Sequence, residues 1–198
     1  MARMTKVGWI GATLALLLLA TPTPARAANV QTSGSEVFPG RFQASLLPVA
    51  GQVGFTNRSP TGYKLIGDFG GNIAGTGFGS VWLGMQLNYT FGLSNCYVVD
   101  CGSDVALWAY AMLTFEKLIP IPLVPFARAG VGGDVLFYQS IAGAIAFHVG
   151  GGVHYYLLKW LGLGVETNIT VGPGIYPQGA GTLFYGHWDV GVGARFHF

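Results

Sequence analysis

The sequence is short of charge. Lys, Arg, Asp and Glu make up 9% of its 198 residues, against roughly 25% in ordinary soluble domains. A water-facing globule with so few charges is hard to keep dispersed. The same scarcity excludes an expanded, disordered chain, which needs low hydrophobicity and high net charge. Long apolar runs are lacking too. Beyond the N-terminal region nothing approaches the roughly 18 continuous apolar residues of a spanning helix. Only two cysteines occur, and helical periodicity is nearly absent. The chain has instead 51% apolar residues and 32 glycines. Its length predicts one domain.

Residues 1–27 read as a secretory signal. Arg3 and Lys6 form a basic start, Trp9 to Ala20 an apolar run, and Ala25-Arg26-Ala27 a small-x-small cleavage site. The run is too short for a membrane anchor. Without Arg3, Lys6 and Arg26 the ten basic residues fall to seven against eight acidic ones, a formal charge of −1. The apparent basicity therefore belongs to the targeting segment and gives no reason to expect a nucleic-acid partner. Residues 28–40 are expected to be an N-terminal periplasmic segment, and 41–198 the folded domain.

An exported chain meets an oxidising compartment, so a disulfide between Cys96 and Cys101 is the favoured reading, with a pair of free thiols as the alternative. The spacing is too wide for a C-x-x-C redox motif and has no histidine companions for zinc. A bridge over so short a loop would mainly hold the loop's shape.

The recurring signal is period two, the mark of a strand with two different faces. From Ser80 to Phe91, Val81, Leu83, Met85, Leu87, Tyr89 and Phe91 share one face. Trp82, Gly84, Gln86, Asn88 and Thr90 share the other. The last strand repeats the design, with Trp188, Val190, Val192, Ala194, Phe196 and Phe198 opposite Asp189, Gly191, Gly193, Arg195 and His197. Similar patterns run over 104–116, 123–133, 145–157 and 161–171, and weaker ones over 42–56 and 62–74. Eight strands are expected.

In a soluble sandwich the apolar face would point inward. Here the opposite face is too poor in polar groups to meet water, being mostly glycine: Gly84, Gly130, Gly132, Gly150, Gly152, Gly162, Gly164, Gly191 and Gly193 fall on it. Eight strands close into a barrel barely wide enough for side chains, where glycine relieves crowding. The arrangement is therefore inverted, with apolar residues toward lipid and small or polar ones inside. On the last strand, Trp188 and the Phe196/Phe198 pair bracket an apolar stretch about 25 Å high at a tilt of about 40°. The fold expected is an all-β, eight-stranded antiparallel up-and-down transmembrane barrel. Its outer connections are expected at 57–61, 92–103, 134–144 and 172–182, with shorter periplasmic turns.

With those residues in view, the sequence resembles the small bacterial outer-membrane β-barrel proteins of the OmpA/OmpX and opacity-protein type. The resemblance rests on Pro125 through Gly132, Phe147 through Thr170, and Phe184 through Phe198. It implies an outer-membrane location. It also implies that Val190, Val192, Ala194, Phe196 and Phe198 form the C-terminal signal read by the β-barrel assembly machinery. Family members act variously as anchors, adhesins, resistance factors, narrow pores or lipid-modifying enzymes, so the fold leaves the activity open.

The inward face carries Arg128, Glu166, Asp189 and Arg195, with His148 and His154. Charges away from water need partners, and a Glu166–Arg195 pair with Arg128 nearby is expected, acting as a structural plug or as a gate. His187 and His197 read as solvated or interfacial. Lipid acyl hydrolysis or transfer would need a nucleophile beside a histidine and a carboxylate; the nearest serine, Ser140, falls in a loop. No zinc spacing, phosphate loop or nucleotide fingerprint is present, because the G-x-G patterns follow from strand alternation. No cofactor or metal is expected. The partners expected are membrane lipid, the assembly machinery and a surface partner met by the outer loops. The main alternative outside the membrane class is a soluble lipid-binding barrel, which requires a polar outer face.

Overall fold

The computed structural model describes residues 41–56, 61–94, 102–137, 141–176 and 181–198. These residues contain eight strands: β1 (Phe42–Gly54), β2 (Thr61–Gly75), β3 (Ser80–Ser94), β4 (Ser103–Thr114), β5 (Leu123–Phe137), β6 (Ile141–Leu158), β7 (Leu161–Tyr176) and β8 (Gly181–His197). Each strand pairs antiparallel with its neighbour in sequence, and β1 pairs with β8, so the sheet closes on itself. Closure leaves no unpaired edge to recruit another chain. Next to the C-terminus the seam is tied by reciprocal backbone bonds, Phe42 N to Phe198 O at 2.9 Å and Phe198 N to Phe42 O at 3.0 Å.

The two faces separate along every strand. On β3, Trp82, Gln86, Asn88 and Thr90 are buried, while Leu83, Met85, Leu87, Tyr89 and Phe91 are exposed. On β6, His148 and His154 are buried, whereas Ile145, Phe147 and Val149 are each 63% exposed. The interior holds the charged and polar residues together with buried rings and aliphatic side chains such as Trp82, Trp108 and Leu136, and the exterior is apolar. Aromatic contacts line both rims. Phe69 lies 5.9 Å from Phe42 and 6.3 Å from Phe198 at the C-terminal end, and Tyr63 lies 6.1 Å from Phe91 toward the other.

Three departures from the sequence expectation matter for the site. First, the barrel is taller at the end away from the C-terminus. β5 runs on to Phe137, β6 begins at Ile141, β7 continues to Tyr176 and β8 begins at Gly181. Most of 134–144 and 172–182 is therefore strand and not loop. Asp134, Leu136, Ala142 and Ala144 continue the buried alternation there, so Asp134 and the two alanines, which suggest a loop, are lumenal positions.

Second, the connections are not uniformly short at one end and long at the other. The strands leave 76–79, 115–122 and 159–160 between them at the C-terminal end, and 55–60, 95–102, 138–140 and 177–180 at the opposite end. Third, β1 carries a register shift between Leu47 and Ala50, in its pairing with β2 and, from Leu46 to Val49, with β8. Pro48 sits in this irregularity, where its missing N–H breaks no regular ladder. The segments 1–27 and 28–40 and the pair Cys96 and Cys101 lie outside the described residues.

Candidate functional site

The lumen is filled by side chains, and its centre is a network of charges. Glu166 on β7 meets two guanidiniums: Arg195 on β8 reaches Oε1 at 2.9 Å, and Arg128 on β5 reaches Oε2 at 2.9 Å. Both arginines also lie 3.5 Å from Asp68 Oδ2 on β2. His154 on β6 places Nε2 at 3.1 Å from Glu166 Oε1. The Tyr110 hydroxyl, on β4, donates to Asp68 Oδ1 at 3.0 Å, and the Ser45 hydroxyl, on β1, donates to Asp68 Oδ2. Arg128 Nε donates to Asn168 Oδ1 at 2.9 Å. Seven of the eight strands are thereby joined across the interior.

Ring faces complete the enclosure. The Arg195 guanidinium stands 4.8 Å from the Phe126 ring centroid, and that of Arg128 stands 5.9 Å from Tyr110. Such contacts favour a planar cation that has left water. The four charged members are at most 6% exposed. Two cations and two anions are thus buried together, which is the condition under which buried charge is tolerated.

Glycine makes room for this cluster. β3 contributes Gly84, where a Cβ would fall 2.5 Å from the Tyr110 hydroxyl. A Cβ at Gly150 would collide with the Asn168 amide oxygen that Arg128 uses. The lumenal glycines are therefore the space into which the long polar side chains extend.

Below the network, toward the C-terminus, Tyr156 Oη lies 2.7 Å from His197 Nε2, and the edge of Trp82 meets the His197 ring at 5.3 Å between centroids. Toward the opposite end, Lys64 on β2 donates to Asp189 Oδ1 at 3.0 Å and lies 3.2 Å from His187 Nε2. Beyond that pair, Asp104, Asp134 and Tyr185 face inward, with the Tyr185 hydroxyl donating to Asp134. His148 packs edge-on against Trp108 at 5.2 Å.

Of the residues singled out in the sequence, Arg128, Glu166, Arg195 and His154 come together. Asp189 does not join them: it pairs with Lys64 and His187 in a separate group. His148 stands apart on Trp108. Val190, Val192, Ala194, Phe196 and Phe198 all face outward, alternating with buried Asp189, Arg195 and His197. The reading of His187 and His197 as solvated or interfacial is wrong. They are 1% and 3% exposed, because both fall on the inward period of β8.

Sequence reasoning also missed Lys64, Asp68, Asp104 and Asp134, all buried in the lumen. The alternation of 62–74 places Lys64 and Asp68 on the face opposite Tyr63, Leu65 and Phe69, so that signal was available. Among the described residues no group of three or more His, Cys, Asp or Glu side chains is arranged to hold a metal ion.

Fold and interior define the class: an eight-stranded up-and-down β-barrel with an apolar exterior and a polar, filled interior. That is the architecture of the small outer-membrane barrels. Two solved structures illustrate the similarity. Neisserial surface protein A aligns over 79% of this chain and 96% of its own, at a TM-score of 0.54 and 15% identity. The N-terminal β-barrel domain of Pseudomonas aeruginosa OprF aligns over 80% and 98%, at 0.50 and 16% identity. No family model matches the chain, and no curated protein matches it in sequence.

Proposed function

We propose that this protein is an integral barrel of the bacterial outer membrane that spans the bilayer with a closed lumen and presents its outer connections for surface interaction. The observation that carries the reading is the inversion of the barrel. Arginines, carboxylates and histidines fill the inside, while residues such as Ile73, Phe147, Val149 and Phe184 are more than half exposed outside. A continuous apolar exterior of this size has no place in water. In a bilayer it is the required solution, since closed barrels satisfy every backbone group internally.

The lumenal network supports an anchoring or structural role over bulk conduction. Solute passage would require separating Glu166 and Asp68 from two guanidiniums in a buried site. A non-enzymatic reading is favoured by the hydroxyl chemistry: Ser45 and Ser80 donate to the carboxylates of Asp68 and Glu116 and not to an imidazole. Ser140 lies outside the described residues. The exposed pattern ending at Phe198 supports recognition by the barrel-assembly machinery.

The test is extraction and gel mobility. The protein is expected to fractionate with outer membranes, to require detergent for release, and to migrate differently with and without boiling. Free solubility in buffer after gentle lysis overturns the proposal.

A further inference from the structure

Side-chain charge on the outside of the barrel has one sign and one place. Among the described residues every acid is buried: Asp68, Asp104, Glu116, Asp134, Glu166 and Asp189. Lys64, Arg128 and Arg195 are buried with them. The exposed charged side chains are Arg41, Lys117 and Lys159, all cations. Arg41 precedes β1, Lys117 lies in the β4–β5 connection and Lys159 in the β6–β7 turn, so all three stand at the C-terminal end.

The two rims sort neighbouring charges in opposite ways. Glu116 and Lys117 are adjacent in sequence, yet Glu116 turns inward to accept from Ser80 while Lys117 stays outside. At the other rim Lys64 follows Tyr63 but turns inward onto Asp189. The stacked rings of Tyr63, Phe91 and Tyr89 there have no exposed charged neighbour in sequence.

Each exposed cation is set beside a pair of stacked rings. Arg41 adjoins Phe42, which stacks on Phe69 at 5.9 Å. Lys117 follows closely on Phe115, which stacks on Phe78 at 5.6 Å, and Lys159 adjoins Trp160, which stacks on Phe196 at 6.3 Å. Backbone bonds fix all three segments to a neighbouring strand or turn. Arg41 O accepts from Asn72 N at 2.8 Å, Lys117 N donates to Phe78 O at 3.1 Å, and Trp160 O accepts from His197 N at 2.9 Å. Lys117 Nζ also donates to the Thr76 carbonyl at 2.7 Å, which uses one of an ammonium's donors and leaves the others. Rings in such a belt lie at the boundary between acyl chains and headgroups. A long cationic side chain beside them carries its charge to the depth of the phosphates.

We infer that Arg41, Lys117 and Lys159 form a rim that binds the phosphates of anionic glycerophospholipids in the leaflet at the C-terminal end, an inference that rests on the membrane-spanning reading above. Charge complementarity selects the occupant, since three cations face outward there with no exposed acid side chain among the described residues. The ring pairs favour a lipid over an acidic protein, because they hold the cations at headgroup depth. The preference is one-sided, as the opposite rim turns its lysine inward.

The experiment uses the full chain, refolded into phosphatidylcholine vesicles that contain a trace of spin-labelled phosphatidylcholine or spin-labelled phosphatidylglycerol. The fraction of label immobilised against the protein is the readout. Phosphatidylglycerol is expected to be held about threefold to fivefold more strongly at low salt, the effect of roughly one cation at an anionic headgroup, and the preference should fade as salt rises. Arg41→Gln, Lys117→Gln and Lys159→Gln each lower it in part, and together they make the two lipids equal. Lys117→Arg with Lys159→Arg keeps it. These positions lie outside the lumen, and the unboiled gel shift reports whether each variant is folded. Equal retention of the two lipids by the unaltered barrel overturns the inference and assigns the cations to an acidic partner outside the bilayer. A preference that survives the triple substitution overturns it as well, and both results leave the membrane reading standing. A chain that does not enter the vesicles overturns both.

Discussion

Arg195 and Glu166 meet at 2.9 Å although their backbones are not opposite each other. In the β7–β8 register Arg195 stands beside Gly162, and Glu166 stands beside Gly191. The guanidinium therefore reaches along the lumen past two inward positions, and it can do so because Gly164 and Gly193 occupy the rung between. The ion pair and the glycines are one arrangement: the strand with the long side chain is matched by positions with none.

Removing the charge of Glu166 leaves two guanidiniums facing Asp68 alone. Glu166→Gln is expected to destabilise the barrel by about 3–5 kcal/mol, the cost of breaking a buried pair. The measurement is the urea midpoint of unfolding, read by the mobility of unboiled samples. An unchanged midpoint removes the network from the account of stability.

Crowding gives a second prediction. At Gly84 a Cβ would fall 2.5 Å from both the Tyr110 hydroxyl and the Phe69 carbonyl oxygen. Gly84→Ala should therefore cost about 1–3 kcal/mol, as overpacking does. Gly51, with nothing within 4 Å of an added Cβ, should accept alanine with little change. Equal effects at the two sites contradict the packed-lumen reading.

The lipid-facing exterior predicts a dependence on depth. Val149 lies near the middle of β6, and Phe42 lies at the rim beside Phe198. Lysine at a barrel's midplane costs about 2–4 kcal/mol and near the interface about 0–1. Val149→Lys should thus weaken folding into vesicles far more than Phe42→Lys. In a water-facing barrel both would be tolerated alike, and that outcome counts against the membrane proposal.

The alternation of the strands made the barrel readable from sequence, because one face of 80–91 and of 188–198 is aliphatic and aromatic while the other is glycine and polar. The same pattern picked out Arg128, Glu166 and Arg195 as inward charges. Partner choice was less legible. Asp68 lies on the inward face of β2, but nothing local shows that it stands 3.5 Å from guanidiniums on β5 and β8; that depends on closure and strand offset. The extensions of β5 through β8 were hidden by residues that read as loop. Asp134 is lumenal, and Pro173 sits in β7 in register with Phe184. His197 reads from the sequence as solvated or interfacial, whereas Tyr156 and Trp82 enclose it.

The outward residues of the C-terminus carry another expectation. Phe198 is 59% exposed and lies against Phe69, so its ring contributes little to the lumen. Phe198→Ser should lower the amount of barrel assembled in the outer membrane of cells while leaving refolding into detergent nearly unchanged. Comparable losses in both settings mean that the residue acts in stability and not in recognition by the assembly machinery.

The proposed barrel spans the bilayer with a lumen closed by its own side chains. Planar-bilayer recording of the refolded protein tests it most directly. A lumen closed by its own side chains gives no steady conductance steps from protein whose heat-dependent gel shift shows it to be folded, and steps appear when Glu166→Gln loosens the network. Steady conductance from the unaltered protein, unaffected by Glu166→Gln, contradicts it.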